Sequence, residues 1–598
     1  MLNYAGSESD PLRKISAYGI GGRVGSRIHD LIFGNYMKLD LENDFLEYFR
    51  HRPFSRENSW KYIGAGKVVS AGSMLAKYCG CSEVLLRSKK FINDLLATMD
   101  PDGYIGTFCR QPDEMQLSEN WVLHDMEYII LGLCDHYSCT GDRAVLDAAE
   151  RMAGFIIRVF PTIPKRELVC TAGLGEAFFA LYTCTGDRKY LDFGADTEHG
   201  YVPGEIQFAS IRRWRQKAEG PASHVYVMLA RAFAQLLLYR AEGRQDPGLL
   251  EMTGYLRREL LGRKRGGMLV TGSSSLNEHF SYEQNGKGAT AETCVTAYLF
   301  RWFESQLTLS RDFRFGDIIE RSLYNALLAI MSPDARKLRY FMPFEEERPY
   351  YCTDTFCCPG NFRRIMSELH SMCWYRTDDG VAVNLYMDSV CPSVKGTGVP
   401  GNAKFEFRMQ TDYPVSGRVR IDVSAPEPFP LTLSLRIPRF CREKYSLRVN
   451  GEPQPVLKPR KGAVSVRRMW NPGDVIELEL PMPERWIAGR AMQKGKAAFL
   501  RGPQVFCLGK SRNADALEKH PDFDQWVLDP VPAGPPLSDT AIFPDGMLIP
   551  FTAHADGESF RVLLSEFTDE SGLHTYFRLS DASAAVPDEI LGDSFRPA

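Results

Sequence analysis

The chain has 598 residues, 44% hydrophobic and 25% charged, with a net charge of −3. That composition is globular but too large for a single core, so roughly two to four domains are expected. The near-neutral balance, with only short basic clusters such as RRELLGRKRGG, excludes a nucleic-acid or acidic-membrane partner, and no window of about 18 apolar residues predicts a transmembrane helix.

The opening MLNYAGSESDPLRKIS lacks a charged stretch followed by an apolar one, so no secretory signal is expected and a cytoplasmic location is. The 15 cysteines are odd in number and scattered from Cys79 to Cys507. They read as reduced thiols, many of them core residues, and not as a disulfide framework.

From about residue 15 to residue 375 the pattern is helical. AGSMLAKYCGCSEVLLRSKKFINDLL, YIILGLCDHYSCTGDRAVLDAAERMAGFII, GEAFFALYTCTGDRKYLDFGADT and VYVMLARAFAQLLLYRAEGRQDPGLLEMTGYL share one plan of helix, small turn and helix. Their turn glycines are Gly80, Gly141, Gly186 and Gly243, with uneven spacings of 61, 45 and 57 residues. A solenoid keeps a fixed period, so a closed toroid of hairpins with inserts suits the series better. Gly186 is expected to end one helix at a left-handed C′ position, and Asp187 to cap the next. A fifth pair lies in CVTAYLFRWFESQLTLS and FGDIIERSLYNALLAIM, and a sixth starts near Asn361. Six hairpins predict an (α/α)6 barrel over residues 1–375.

After Tyr375 the pattern changes. GVAVNLYMDSV, AKFEFRMQTDY, GRVRIDVSA, LTLSLRIP, YSLRVNG and GDVIELELPMP alternate and are separated by Gly, Pro and Asn, which predicts an antiparallel β-sandwich over 376–485. KAAFLRGPQVFCLG and SFRVLLSEF predict a second β-sandwich over 486–598, with DPVPAGPPLSD as a long loop.

The inserts between hairpins carry the candidate chemistry. DGYIGTF, SENWVLHDMEY and GSSSLNEHFSYE mix aromatic faces with carboxylates and imidazoles, a combination suited to a sugar; loop packing is the alternative for each aromatic. In GATAETCVTAYLF, Glu292 and Cys294 are two residues apart and do not share a face of a regular helix. They converge only in a turn or at a helix's first turn, and a helix starting after this Gly/Thr-rich run fits. FCCPGN places Cys357 and Cys358 just before another helix. Three sulfurs and one carboxylate are a tetrahedral zinc set. Spacing alone leaves metal ligands and buried reduced thiols both open, while a disulfide between neighbours is disfavoured by ring strain.

Several segments in one order resemble glycoside hydrolase family 127, the β-L-arabinofuranosidases: DGYIGTF, HDMEYIILGLCDHYSCTGD, NEHFSYE, AETC, CCPGN, LRIP, VNG, GDVIELELPM and RGPQVF. The resemblance covers nearly the whole chain, and AETC with the double cysteine is its most specific part. It implies an (α/α)6 barrel followed by β-sandwiches and a retaining hydrolase of oligosaccharides or glycosides. It further implies a nucleophile at Cys357, zinc held by Glu292, Cys294, Cys357 and Cys358, and a general acid/base at Glu278. His124, His224 and Tyr282 fall where the sugar is contacted. Each histidine has an alternative as a hydrogen-bonded packing residue. A homodimer is a candidate assembly.

One departure bears on specificity. Family members often carry a Gly-His pair where this chain has AGLGEAF, so Leu174 stands in place of a histidine. The alternatives are an (α/α)6 hydrolase or lyase working through carboxylates with a structural zinc, and a non-catalytic carbohydrate-binding protein.

Overall fold

The computed structural model describes residues 10–54, 62–109, 120–162, 172–201, 224–263, 265–393, 404–441 and 444–592. The chain divides into two compact units. One comprises His29–Tyr255 and Tyr351–Glu368 with the first residues of the chain; the other comprises Glu8–Ile28, Leu256–Tyr350 and Leu369–Ala598.

The first unit is helical, and glycines set its turns. Helices Ala65–Cys79 and Ser82–Leu96, Asn120–Thr140 and Arg143–Val159, and Leu174–Thr185 and Arg188–Tyr201 form successive pairs. Gly80, Gly141 and Gly186 separate them with φ of +64°, +74° and +72°, the left-handed region that costs glycine nothing. The Gly186 N–H closes on the Tyr182 carbonyl at 2.8 Å, and Asp187 Oδ1 accepts the Lys189 N–H at 3.0 Å, as the sequence predicts. Gly243 turns the chain after Val225–Ala241 in the same way, with φ of +70°.

Two of these helices touch backbone to backbone. A Cβ on Gly66 would lie 2.1 Å from the Tyr128 carbonyl carbon, and one on Gly132 would lie 2.5 Å from the Gly66 oxygen. Ala65–Ala76 is buried throughout, as expected for a helix covered on every side. The unit's last helix, Cys357–Glu368, begins four residues earlier than the expected start at Asn361. Pro359 and Gly360 therefore lie in its first turn and make no separate loop; proline is tolerated there because its missing N–H has no intrahelical partner to lose.

The second unit carries helices Thr293–Ser310 and Arg314–Ser322 and, among the described residues, every strand of two or more residues. Two sheets face each other. One has five strands in the order Arg13–Ile15, Trp374–Thr377, Gly380–Val383, Phe429–Arg436 and Ala463–Trp470; the other has six, from Ser389–Pro392 to Glu452–Pro453. Trp374, Phe429 and Trp470 of the first sheet meet Phe407 of the second, each with ring centroids 6.2 Å apart. This is the expected sandwich, with an addition. Arg13–Ile15, from the N-terminal end of the chain, pairs antiparallel with Trp374–Arg376.

The C-terminal region departs from the expected second sandwich. Its ten strands form one sheet, and six of them close a hydrogen-bonded ring: Ala497–Arg501, Gln504–Gly509, Glu558–Glu566, Met547–Ala555, Val527–Leu528 and Tyr576–Leu579, back to the first. Trp486, Phe499, Phe506, Phe551 and Phe577 belong to its buried core. Alternating strands suit a sandwich and a barrel equally, and closure leaves fewer strand edges exposed.

Candidate active site

Within the second unit, Glu278, Glu292 and Cys294 are held by one small piece of structure. Leu276 bridges both His279 and Thr290, and the Asn277 N–H donates to the Ala289 carbonyl at 2.8 Å. The chain reverses through Asn277 and Glu278 with φ of +49° and +66°. Two successive left-handed residues are the mark of a type I′ turn, where the second position is normally glycine. A glutamate held there costs about 1 kcal/mol, and such strain concentrates at functional sites.

The Thr293–Ser310 helix follows directly. Glu292 is its N-cap residue, with φ −60° and ψ 137°, but its carboxylate does not cap its own helix. Its N–H donates to Ser275 Oγ at 3.1 Å. Cys294 lies in the first turn, and both residues are fully buried. The pair thus sits where its two-residue spacing requires.

Tyr340 ties these pieces together. Its carbonyl accepts the Thr293 N–H at 2.9 Å, and its hydroxyl donates to Glu278 Oε1 at 2.6 Å. Glu278 is half-buried. Tyr282, expected to contact the sugar, gives its hydroxyl to Glu259 and has the Arg265 guanidinium 4.4 Å above its ring.

In the first unit, Cys357 is the first residue of its helix and half-buried, and Cys358 is fully buried. The helix is anchored by its arginines. Arg364 pairs with Glu176 at 2.8 Å, and Arg363 bonds Asn35 at 2.8 Å and pairs with Asp354. Cys352, half-buried near the pair, has its thiol pushed up by burial and by Cys357.

The same unit holds a basic and aromatic cage. Lys67 is fully buried, its Nζ 4.1 Å from the centre of the Tyr128 ring and 5.0 and 5.2 Å from those of Tyr62 and Tyr226. The Tyr128 and Tyr226 hydroxyls bond each other at 2.6 Å. A Cβ on Gly360 would meet Lys67 Cβ at 2.9 Å, so the lysine stem lies against the cysteine-bearing helix.

His124 is buried in this cage, its ring 4.8 Å from Tyr62 and 5.0 Å from Tyr128. Its Nδ1 stands 2.9 Å from Glu127 Oε1, which also accepts the Gly173 N–H at 2.9 Å. Burial raises the Glu127 carboxyl against the pull of His124. Asp125 is buried beside them, accepts the Gly64 N–H at 3.1 Å, and is pushed up to about 7 by burial. His224 is half-buried at the N-cap of Val225–Ala241, its ring 5.8 Å from Tyr226. Leu174, buried, opens the helix that follows Gly173.

Nothing in the sequence singles out Tyr340, Lys67 or Cys352 for a role, and Glu127 figures only as one carboxylate of SENWVLHDMEY. The only signal at Lys67 is that it is the one charged residue in the stretch AGKVVSAGSMLA. Tyr340 had none, since it lies in an irregular segment without periodicity.

The family model "Beta-L-arabinofuranosidase, GH127 catalytic domain" matches residues 47–371, and the GH127 middle-domain model matches 380–482. A non-reducing end β-L-arabinofuranosidase of Bifidobacterium longum subsp. longum is 25% identical over 480 residues, covering 69% of this chain and 70% of that protein. Among solved structures, a GH127 β-arabinofuranosidase superposes with a TM-score of 0.80 at 20% identity, over 97% of this chain and 100% of its own. A GH127 β-L-arabinofuranosidase from Geobacillus stearothermophilus T6 gives 0.77 at 21%, over 96% and 100%. At these identities the two structures speak to fold alone.

Proposed function

Because the chain belongs to the GH127 β-L-arabinofuranosidase family and is a glycoside hydrolase, we propose that it is a retaining enzyme that releases L-arabinofuranose-type or related sugars from plant cell-wall glycosides. Removal from the non-reducing end follows the activity for which the Bifidobacterium relative is named. The catalytic domain is an (α/α)6 barrel in this reading, which the paired helices and their left-handed turn glycines support.

One observation carries the chemistry. Both donor pairs, Glu292 with Cys294 and Cys357 with Cys358, occupy the start of a helix. Helix N-termini favour anions, thiolates among them. Three thiols and a carboxylate are a donor set for zinc, and one ion held by Glu292, Cys294, Cys357 and Cys358 fits them. When bound, zinc keeps its sulfur ligands deprotonated near neutral pH. Cys357 is the nucleophile and Cys358 only a ligand, in keeping with the half-exposed first sulfur and the buried second.

Glu278 protonates the leaving oxygen as Cys357 Sγ attacks the anomeric carbon and the glycosidic C–O bond breaks. Glu278 then takes a proton from water, which displaces the sulfur from the thioglycosyl enzyme and restores the anomeric configuration. His124, His224 and Tyr282 contact the sugar. Glu127 fixes the His124 ring through Nδ1, which directs Nε2 at a hydroxyl. Leu174 removes a polar contact that a histidine would make, and so shifts which sugar is preferred.

Cys357→Ser tests the assignment on an aryl β-L-arabinofuranoside. Loss of turnover by several orders of magnitude is expected. Undiminished turnover would assign the chemistry to carboxylates and leave zinc a structural role.

A further inference from the structure

Away from these residues, the second unit contains a buried polar cluster with no part in the hydrolysis. Glu345, Asp524 and His574 each offer a ligand atom, all within 4.8 Å of one another. His574 Nδ1 stands 2.9 Å from Glu345 Oε2 and 3.6 Å from Asp524 Oδ1. His574 and Glu345 are buried, at 1% and 4% exposure; Asp524 reaches solvent.

The cluster is pinned. Glu345 Oε1 accepts the N–H groups of Thr575 and Tyr576 at 3.2 and 3.1 Å, which leaves Oε2 facing the histidine. The Glu345 backbone N–H donates to the Gly286 carbonyl at 2.9 Å. The His574 ring is wedged between Phe523 and Phe577, with centroids 5.4 and 5.0 Å away.

Its charge and hydrogen bonds are incomplete. Neither ring nitrogen of the buried His574 meets hydrogen-bond geometry with any described partner. Among the described residues, Glu345 pairs with no lysine or arginine, and the nearest cation to Asp524 is Lys496, with Nζ at 3.7 Å. The Glu345 carboxylate is buried against the imidazole without a lysine or arginine among the described residues, and a cation shared with Asp524 would compensate its charge. Imidazole nitrogen with carboxylate oxygens is a donor set for zinc and its first-row neighbours, with water completing the shell at the open Asp524 side.

We propose that Glu345, Asp524 and His574 bind a divalent first-row transition cation, represented by zinc, that fastens the segment around Glu345 to the C-terminal ring of strands. The cation displaces Lys496 from Asp524 and holds His574 neutral, and the sulfur ligands take no part in it.

Zinc titration of the chelator-stripped full chain, with elemental analysis after gel filtration, is expected to give two equivalents. One should be lost in Asp524→Asn and in His574→Gln but kept in Cys294→Ala. Cobalt(II) separates the two sites, since thiolate ligands give intense sulfur-to-metal charge-transfer absorption and a nitrogen–oxygen site gives only weak d–d bands. An equivalent lost in Asp524→Asn but kept in Cys294→Ala supports the inference even if the cysteine site binds nothing. Asp524 is partly exposed, so its replacement leaves the fold intact, which unfolding in chelator checks. Full zinc content in both Asp524→Asn and His574→Gln overturns the proposal, whatever becomes of the sulfur site.

Discussion

The Tyr340 hydroxyl donates a 2.6 Å hydrogen bond to Glu278 Oε1, while the Tyr340 carbonyl receives the N–H that opens the Glu292–Cys294 helix. That hydroxyl fixes where the Glu278 carboxyl points, which the proposed acid/base role requires. In Tyr340→Phe the ring and the carbonyl bond to the helix remain but the orienting hydrogen bond is lost, so kcat should fall by about tenfold. Undiminished kcat in folded Tyr340→Phe would remove Tyr340 from the proposed machinery.

Glu278 sits at a position that glycine would occupy more comfortably. Glu278→Gly should therefore raise stability by about 1 kcal/mol while lowering turnover by on the order of 10²–10⁴-fold. Glu278→Ala should lose the same activity without the gain in stability. Denaturant unfolding of the two variants measures the difference, and equal stabilities would show that the left-handed turn stores no strain.

Much of this arrangement is legible in the sequence because it follows from local rules. Gly80, Gly141, Gly186 and Gly243 fall at turns since a left-handed helix end favours glycine. Glu292 and Cys294 had to sit at a helix start, because two residues apart they face different ways anywhere further in. Other features depend on partners far along the chain. Arg13–Ile15 becomes a strand only because Trp374–Arg376 lies beside it. The C-terminal ring closes through pairings that a two-residue alternation does not encode. The turn at Glu278 was hidden because Asn-Glu replaces the Asn-Gly that marks such turns.

Asp125 and His136 should give the stability a pH dependence of opposing signs. Burial pushes Asp125 up to about 7, so its contribution is fully present below its unfolded value near 3.8 and is lost as pH rises toward 7. Burial pushes His136, whose Nδ1 lies 2.9 Å from Ser73 Oγ, down to about 4. Its contribution is present above about pH 6.5 and is lost as pH falls through 4. Asp125→Asn keeps an oxygen acceptor for the Gly64 N–H and removes the charge. It should be more stable than the parent at pH 8 and not at pH 4, with a ceiling of about 4 kcal/mol on the difference. Thermal unfolding at the two pH values checks this, and a parallel loss at both would mean that the carboxylate itself is needed.

Gly360 should be intolerant of even a methyl group. Alanine is a better helix former than glycine by about 1 kcal/mol, so Gly→Ala within a helix ordinarily stabilises. At Gly360 the new Cβ would stand 2.9 Å from Lys67 Cβ and 3.0 Å from its Cδ. Lys67 cannot yield easily, because its ammonium is enclosed by Tyr62, Tyr128 and Tyr226. The helix must move instead, and overpacking of this kind costs about 1–3 kcal/mol. Gly154→Ala is the control: its Cβ would find only the Arg158 guanidinium tip, 4.0 Å away, on another helix of the same unit. Gly154→Ala should raise the melting temperature and leave turnover unchanged. Gly360→Ala should lower the melting temperature by several degrees. It should also lower kcat out of proportion to the folded fraction, because the displaced helix begins with Cys357 and Cys358.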